Sequence, residues 1–319
     1  MKRHSAKKSK GGTGSGGGAG VYKNLEAQME KVFREAVRDT RGTVSVKTHY
    51  RYRDSVKKFL GFCAERFRLQ KVKKIGDKHV RAYIEWRREN GIREKTIKED
   101  LSAIRFFHRY TGARRELAPN EVFGIGRTPQ GGVDRAWTQG EYEKMLRLAE
   151  KLGRRDVVLT MRLARHAGLR IHECTRLSRS GAEEALRTGL LRVKGKGGKV
   201  REVPLRPEAA GVLREACKGL GQHEKLFVPP GEKTHKVIKR IEGFIYRHRD
   251  KVTEKSDRGV EITFHGLRHL YAREEYHNRA KKARGRWEER MARLEVSELL
   301  GHGRAEVTQI YLGKGEKDG

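Results

Sequence analysis

The sequence has only six prolines and three cysteines among its 319 residues, and no apolar run long enough to cross a bilayer. Scarce proline leaves most of the chain free to form helices, and 37 glycines supply the joints. Cys63, Cys174 and Cys217 stand far apart without a C-x-x-C pair, so neither a disulfide framework nor a zinc site is indicated. The N-terminus is basic and glycine-rich and lacks the apolar centre of a secretory signal. A cytoplasmic, reduced protein is therefore expected. Two chemical signatures are missing as well. No G-x-x-x-x-G-K-[ST] is present, which removes a P-loop. His265 and His269 stand at helical spacing without the glutamate of H-E-x-x-H or an evident third ligand, so no metal is expected there.

Acidic residues are in deficit. Against 74 Lys+Arg there are 41 Asp+Glu, which leaves +33 and a sequence pI of about 10.3. Such an excess is more than solubility requires and implies a polyanionic partner, nucleic acid above all. Attachment to a membrane surface would require a basic amphipathic helix with a wide apolar face, whereas the cations here are spread along the whole chain.

Residues 1–20 are basic, then glycine-rich, with nothing apolar enough to pack, and a disordered tail is expected. Helical periodicity begins at Val21 and runs through four blocks. The first carries Leu25, Met29, Val32 and Phe33, and the second Tyr52, Val56, Phe59, Leu60 and Cys63. Asp77 is placed to cap the third, and Thr96 with Glu99 has capping-box spacing ahead of the fourth. Residues 21–112 thus read as a basic helical bundle, and the aperiodic stretch 113–134 as a linker.

A second domain, 135–319, opens on another capping box, Thr138 with Glu141. A helix from Asp156 stops at Gly168, which sets Arg170 just past a helix end. Leu191 and Val193, then Val203 and Leu205, alternate with charged residues around Gly195-Lys196-Gly197-Gly198, the pattern of a strand, a glycine turn and a strand. A G-x-x-G loop of the KH type would join two helices, so the RNA-binding reading is set aside. A further helix begins near His265. Residues 273–295 are almost continuously charged, which predicts a solvated helix or helical insertion. Near the end, Leu299-Leu300-Gly301-His302 leads to Tyr311 through Val307 and Ile310 at helical spacing.

Read in order, Gly168-Leu169-Arg170-Ile171-His172-Glu173, Gly195-Lys196-Gly197, His265-Gly266-Leu267-Arg268-His269, Leu299-Leu300-Gly301-His302 and Tyr311 resemble the tyrosine recombinase (phage integrase) family. The order together with the spacing makes the resemblance specific across the second domain; over the first four helices it is looser. It implies a mainly α fold with a small β-hairpin: an N-terminal core-binding, SAM-like bundle and a C-terminal catalytic domain that clamp duplex DNA.

The resemblance also implies a chemistry. Tyr311 attacks a DNA phosphate and forms a 3′-phosphotyrosyl link, with no cofactor. Arg170 and Arg268 hold the non-bridging oxygens with guanidinium forks that keep their charge. Lys196 protonates the departing 5′-oxygen, His302 donates to a non-bridging oxygen, and His265 positions or deprotonates the phenol. Glu173 buttresses the first arginine. A homo-tetramer on paired sites, accessory DNA-bending proteins and a place on the nucleoid are further expectations. Only residues 312–319 follow Tyr311 here, and the interval from Arg268 to His302 exceeds that of compact relatives. Type IB topoisomerase-like relaxation and a non-catalytic architectural role are the alternatives; the full set of six residues argues against the latter.

Overall fold

In the computed structural model, helix starts and stops follow local chemistry. The structure describes residues 17–126, 133–195, 198–254, 260–302 and 310–311. The chain divides into two units, Met1–Pro129 and Gln130–Gly319.

The first unit holds α1 (Gly17–Asp39), α2 (Val46–Phe67), α3 (Asp77–Glu89) and α4 (Glu94–His108). Ser45 caps α2 by accepting from the Thr48 N–H at 3.1 Å. The apolar stripes meet in one core that includes Leu25, Met29, Phe59, Leu60, Tyr83, Ile97, Leu101 and Phe107. Each such burial contributes on the order of 1.5–3 kcal/mol, so the packed stripe, more than helix propensity, holds these four helices.

Four boundaries differ from those read in the sequence. Residues 17–20 belong to α1, because the packed stripe that starts at Leu25 carries the helix backward through them; residues 1–16 lie outside the described residues. Asp77 is the first helical residue after Gly76, and its carboxylate accepts from the Ala118 N–H instead of capping α3. The fourth helix begins at Glu94, where a bidentate contact with Arg88 adds a turn ahead of Thr96. Residues 117–125 pack on the first unit and so are not linker: Phe123 and Ile125 are buried there, and Arg105 donates to Ala118 O and Asn120 Oδ1.

The second unit holds α5 (Gln139–Lys151), α6 (Arg155–Ala167), α7 (Ile171–Cys174), α8 (Arg179–Thr188), β1 (Leu190–Lys194), β2 (Val200–Pro204), α9 (Pro207–Ala216), α10 (Thr234–His248), α11 (Phe264–Ala280) and α12 (Arg286–Leu299). Thr138 and Glu141 form the capping box of α5. β1 and β2 pair antiparallel with Leu191 opposite Val203 and Val193 opposite Arg201. Two glycines are required by space. Gly168 ends α6 in the left-handed region, where a Cβ would stand 2.4 Å from the Tyr271 ring. At Gly266 a Cβ would meet Arg135 O at 2.4 Å, so α11 lies close against residues 135–137.

The charged stretch is helical, and of the two expected forms, a solvated helix or a helical insertion, it takes the second, as a hairpin of two helices. α11 and α12 are joined by residues 281–285 and tied by Tyr276 Oη to Glu289 at 2.6 Å and Arg279 Nε to Glu295 at 2.9 Å. Among the described residues no helix is long and apolar enough to cross a membrane.

Candidate active site

Three chain segments meet around Glu173. The Gly168 turn sends Arg170 away from the end of α6, and α7 then carries Glu173 into the interior, 1% exposed. Its carboxylate accepts from the Arg170 backbone N–H at 2.9 Å and from Arg170 Nη1 at 3.0 Å, and from Arg201 Nη1 and Nη2 at 2.9 Å each. Arg268 Nη1 stands 3.7 Å away. Burial by itself would raise the carboxyl's pKa, but the Arg201 hydrogen bonds and charge, the Arg170 N–H and Arg268 reverse the shift and hold it at about 2.

Arg201 is the functional neighbour that the sequence reading missed. Besides gripping Glu173, it donates from Nε to Leu299 O at 2.8 Å, and so fastens β2 to the turn that carries His302. A signal was available. Arg201 has the same strand parity as inward-facing Val203, so alternation points its charge inward, where it needs a partner.

Arg268 lies on the first turns of α11, fully buried, and donates to Gly168 O at 2.6 Å and to Leu300 O. Its Nε has no partner. Loss of hydration lowers its pKa to about 10, which leaves it cationic at neutral pH. The Tyr311 ring lies over it, 5.9 Å from Cζ to ring centroid. Tyr311 is 5% exposed and packs with Tyr271, Val296 and Leu300. His269, buried on the same face of α11, has its ring 4.5 Å from that of Tyr311.

Of the two histidines, His302 is the one bonded to the phenol. His302, delivered by the left-handed Gly301, has Nε2 2.9 Å from Tyr311 Oη and 3.2 Å from Arg170 Nη2. Arginine has only donors, so the Arg170 contact requires an unprotonated Nε2, and the phenol then donates to that same nitrogen. Loss of hydration, followed by the charges of Arg268, Arg170 and Arg201, lowers the His302 pKa to about 4, so the ring is neutral at pH 7. His265 is exposed, and its ring is 6.2 Å from that of Tyr311; among the described residues no hydrogen bond joins the two. Crowding and then Arg268, Arg170 and Arg135 lower its pKa to about 4; with the ring open to water, the cations are the weightier cause. Proximity of an imidazole to the phenol is present, but through His302. The sequence places both histidines near Tyr311 and does not say which one the Gly301 turn aims at it.

Arg170, Gly195, Lys199, Arg201, Gly301 and His302 line an open pocket of about 510 Å³ beside the phenol. Lys196, Gly197 and residues 303–309, with Val307, lie outside the described residues. Gly195 immediately precedes Lys196 and lines this pocket. Among the described residues no group of His, Cys, Asp and Glu is arranged to hold a metal ion.

The Glu173 cluster gives a pH-dependent expectation. Its folded-state pKa lies below the usual value near 4.3, so its stabilisation is present above that value and is lost as pH falls towards 2. Glu173→Gln leaves Arg170, Arg201 and Arg268 facing one another and should cost about 3–5 kcal/mol at pH 7. In urea unfolding across a pH series, the deficit relative to the parent should shrink below about pH 4.5. A deficit constant from pH 7 to pH 2 would mean that the carboxylate's charge is not what holds the cluster.

The chain is similar to known proteins in sequence and in fold. The family model described as Phage integrase family matches residues 135–317, and that described as Phage integrase, N-terminal SAM-like domain matches residues 33–115. Tyrosine recombinase XerD of Pseudomonas aeruginosa is 28% identical over 247 residues, 74% of this chain and 77% of that protein. Tyrosine recombinase XerC of Pseudomonas syringae pv. tomato is 27% identical over 278 residues, 84% of this chain and 85% of that protein. Among solved structures, a lambda integrase(75-356) dimer bound to a COC′ core site superposes with a TM-score of 0.61 at 19% identity, covering 92% of this chain and 98% of that one. A likeness at that identity speaks for the fold.

Proposed function

The chain belongs to the phage integrase family and is a tyrosine-type site-specific DNA recombinase, and we propose that Tyr311 is its nucleophile, acting on duplex DNA within a homo-tetramer assembled on paired sites. The observation that carries the assignment is the phenol of Tyr311 bonded to a neutral imidazole, His302 Nε2, directly above the buried cation of Arg268.

In this reading His302 takes the phenolic proton as Tyr311 Oη attacks phosphorus. The bond to the 5′-oxygen breaks, and Lys196 supplies the proton that leaves with it. Arg170 lines the open pocket and receives the non-bridging oxygens. Arg268 lends its charge from below, and its unpartnered Nε becomes available once the Tyr311 ring swings off its face. His265, at the exposed rim, contacts the phosphate instead of the phenol. The 3′-phosphotyrosyl link keeps the energy of the phosphodiester, so a 5′-hydroxyl from another strand reverses the step without ATP. The +33 charge supports wide phosphate contact along the duplex, and accessory bending proteins and action on the nucleoid fit the same reading.

The test is incubation with candidate duplexes in excess EDTA, followed by denaturing detection and mapping of protein–DNA adducts. Because arginines supply the charge at phosphorus, adducts at a 3′-phosphate should form undiminished. Cleavage lost under chelation and restored by magnesium would instead indicate a metal-dependent nuclease.

A further inference from the structure

The far end of the α11–α12 hairpin carries a surface that strand cleavage does not use. α11 is 17 residues long and starts at the reacting site, so at ~1.5 Å per residue its last turn lies about 20 Å from His265. There Lys281, Lys282, Arg284, Arg286 and Arg290 are exposed, and among the described residues none of their side chains has a hydrogen bond or an ion pair. The neighbouring acids are engaged: Glu288 accepts from the Arg284 N–H, Glu295 pairs with Arg279 and Glu289 with Arg293. Among these cations stands Trp287, 72% exposed, on a groove of about 650 Å³ that Met291 also lines. The other two tryptophans, Trp86 at 37% and Trp137 at 2%, are far more covered. An indole left in water contributes nothing to this unit's core, and lone cations would not need it.

We propose that this surface binds an unpaired nucleic-acid strand, with phosphates on Lys281, Lys282, Arg284 and Arg286 and a base stacked on Trp287. Arg279 and Lys282 line the groove with Glu288 and Glu295, the further cations flank it, and cations beside an aromatic platform are the combination such strands require. Duplex bases are already covered on both faces by their neighbours, and a membrane surface would need more apolar residues beside Trp287 than Met291 supplies. The length of α11 beyond His265 separates this strand from the phosphate under attack. The surface therefore adds a second nucleic-acid contact to the recombinase, independent of which residue is the nucleophile.

The test uses the full chain with its duplex-binding surfaces saturated by excess unlabelled duplex, titrated with short oligothymidylate and, in a second arm, oligouridylate. Indole fluorescence should be quenched on binding. Trp287→Ala should abolish most of that quench and weaken binding roughly 10- to 100-fold, while Trp287→Phe retains most of the affinity. Combined Arg284→Glu and Arg286→Glu should weaken binding and flatten its salt dependence. Covalent adduct formation on duplex should be unchanged in Trp287→Ala. Tighter binding of one oligomer identifies DNA or RNA as the strand. Affinities for both oligomers unchanged in Trp287→Ala and in the charge-reversal variant would overturn the proposal. So would polyglutamate competing as well as the oligonucleotides, which would make this a docking site for acidic protein.

Discussion

Tyr311→Phe should bind duplex DNA as the parent does and form no covalent adduct, a loss on the order of 10⁴-fold or more in cleavage. The substitution removes one oxygen and leaves the ring. Packing with Tyr271, Val296 and Leu300, the contact with the His269 ring and the position over Arg268 all depend on the ring. The folded state therefore loses only the bond to His302 Nε2, worth about 1 kcal/mol. Binding draws on cations elsewhere, so a gel-shift measurement should separate affinity from chemistry. Denaturing gels are the decisive readout. An adduct that persists in the Phe variant and maps to another residue would remove Tyr311 from the mechanism, and with it the roles given to its neighbours.

What could be read from the sequence was whatever local chemistry decides. The Thr138–Glu141 capping box, the stop at Gly168 and the alternation of Leu191 and Val193 each depend on a few adjacent residues, and each appears in the fold where it was expected. Misreadings arose where a distant partner intervened. Asp77 was free to cap α3 until Ala118, from a segment taken as linker, presented an N–H to it. Thr96 had the spacing of a cap, but Arg88 holds Glu94 and starts the helix earlier. At the site, the order of motifs named side chains of which Arg170, Arg268, His302 and Tyr311 come together in the fold, but it did not give their wiring. Arg201 belongs to no catalytic motif, yet its guanidinium ties Glu173 to the Leu299 carbonyl and thereby aligns β2, the Arg170 turn and the His302 turn. Which imidazole meets the phenol follows from that tertiary clamp and from the left-handed turn at Gly301. Spacing alone carries neither.

Lys196→Ala should slow cleavage of ordinary duplex on the order of 10²- to 10⁴-fold, the usual worth of a positioned general acid. Without the ammonium, the 5′-oxygen must depart as an alkoxide. Replacing that bridging oxygen with sulfur removes the need for a proton, because a thiolate is stable near neutral pH. Lys196→Ala should then cleave the sulfur-bridged duplex at close to the parent rate. Tyr311→Phe should stay inactive on it, and Arg170→Ala should stay slow through lost charge at the non-bridging oxygens. The hairpin supplies its own competitor. Lys199 lies on the described wall of the pocket with Arg170 and His302, and the bond from Gly195 N to Lys199 O at 2.7 Å brings both ends of the turn to the same place. A Cβ at Gly195 would stand 3.6 Å from Glu173 Oε1, so the described start of the turn lies against the carboxylate that holds Arg170. Measuring Lys199→Ala on both substrates in parallel separates the two. If Lys199→Ala is the variant that the sulfur substrate rescues, and Lys196→Ala is equally slow on both, the general acid is Lys199 and Lys196 is a phosphate anchor.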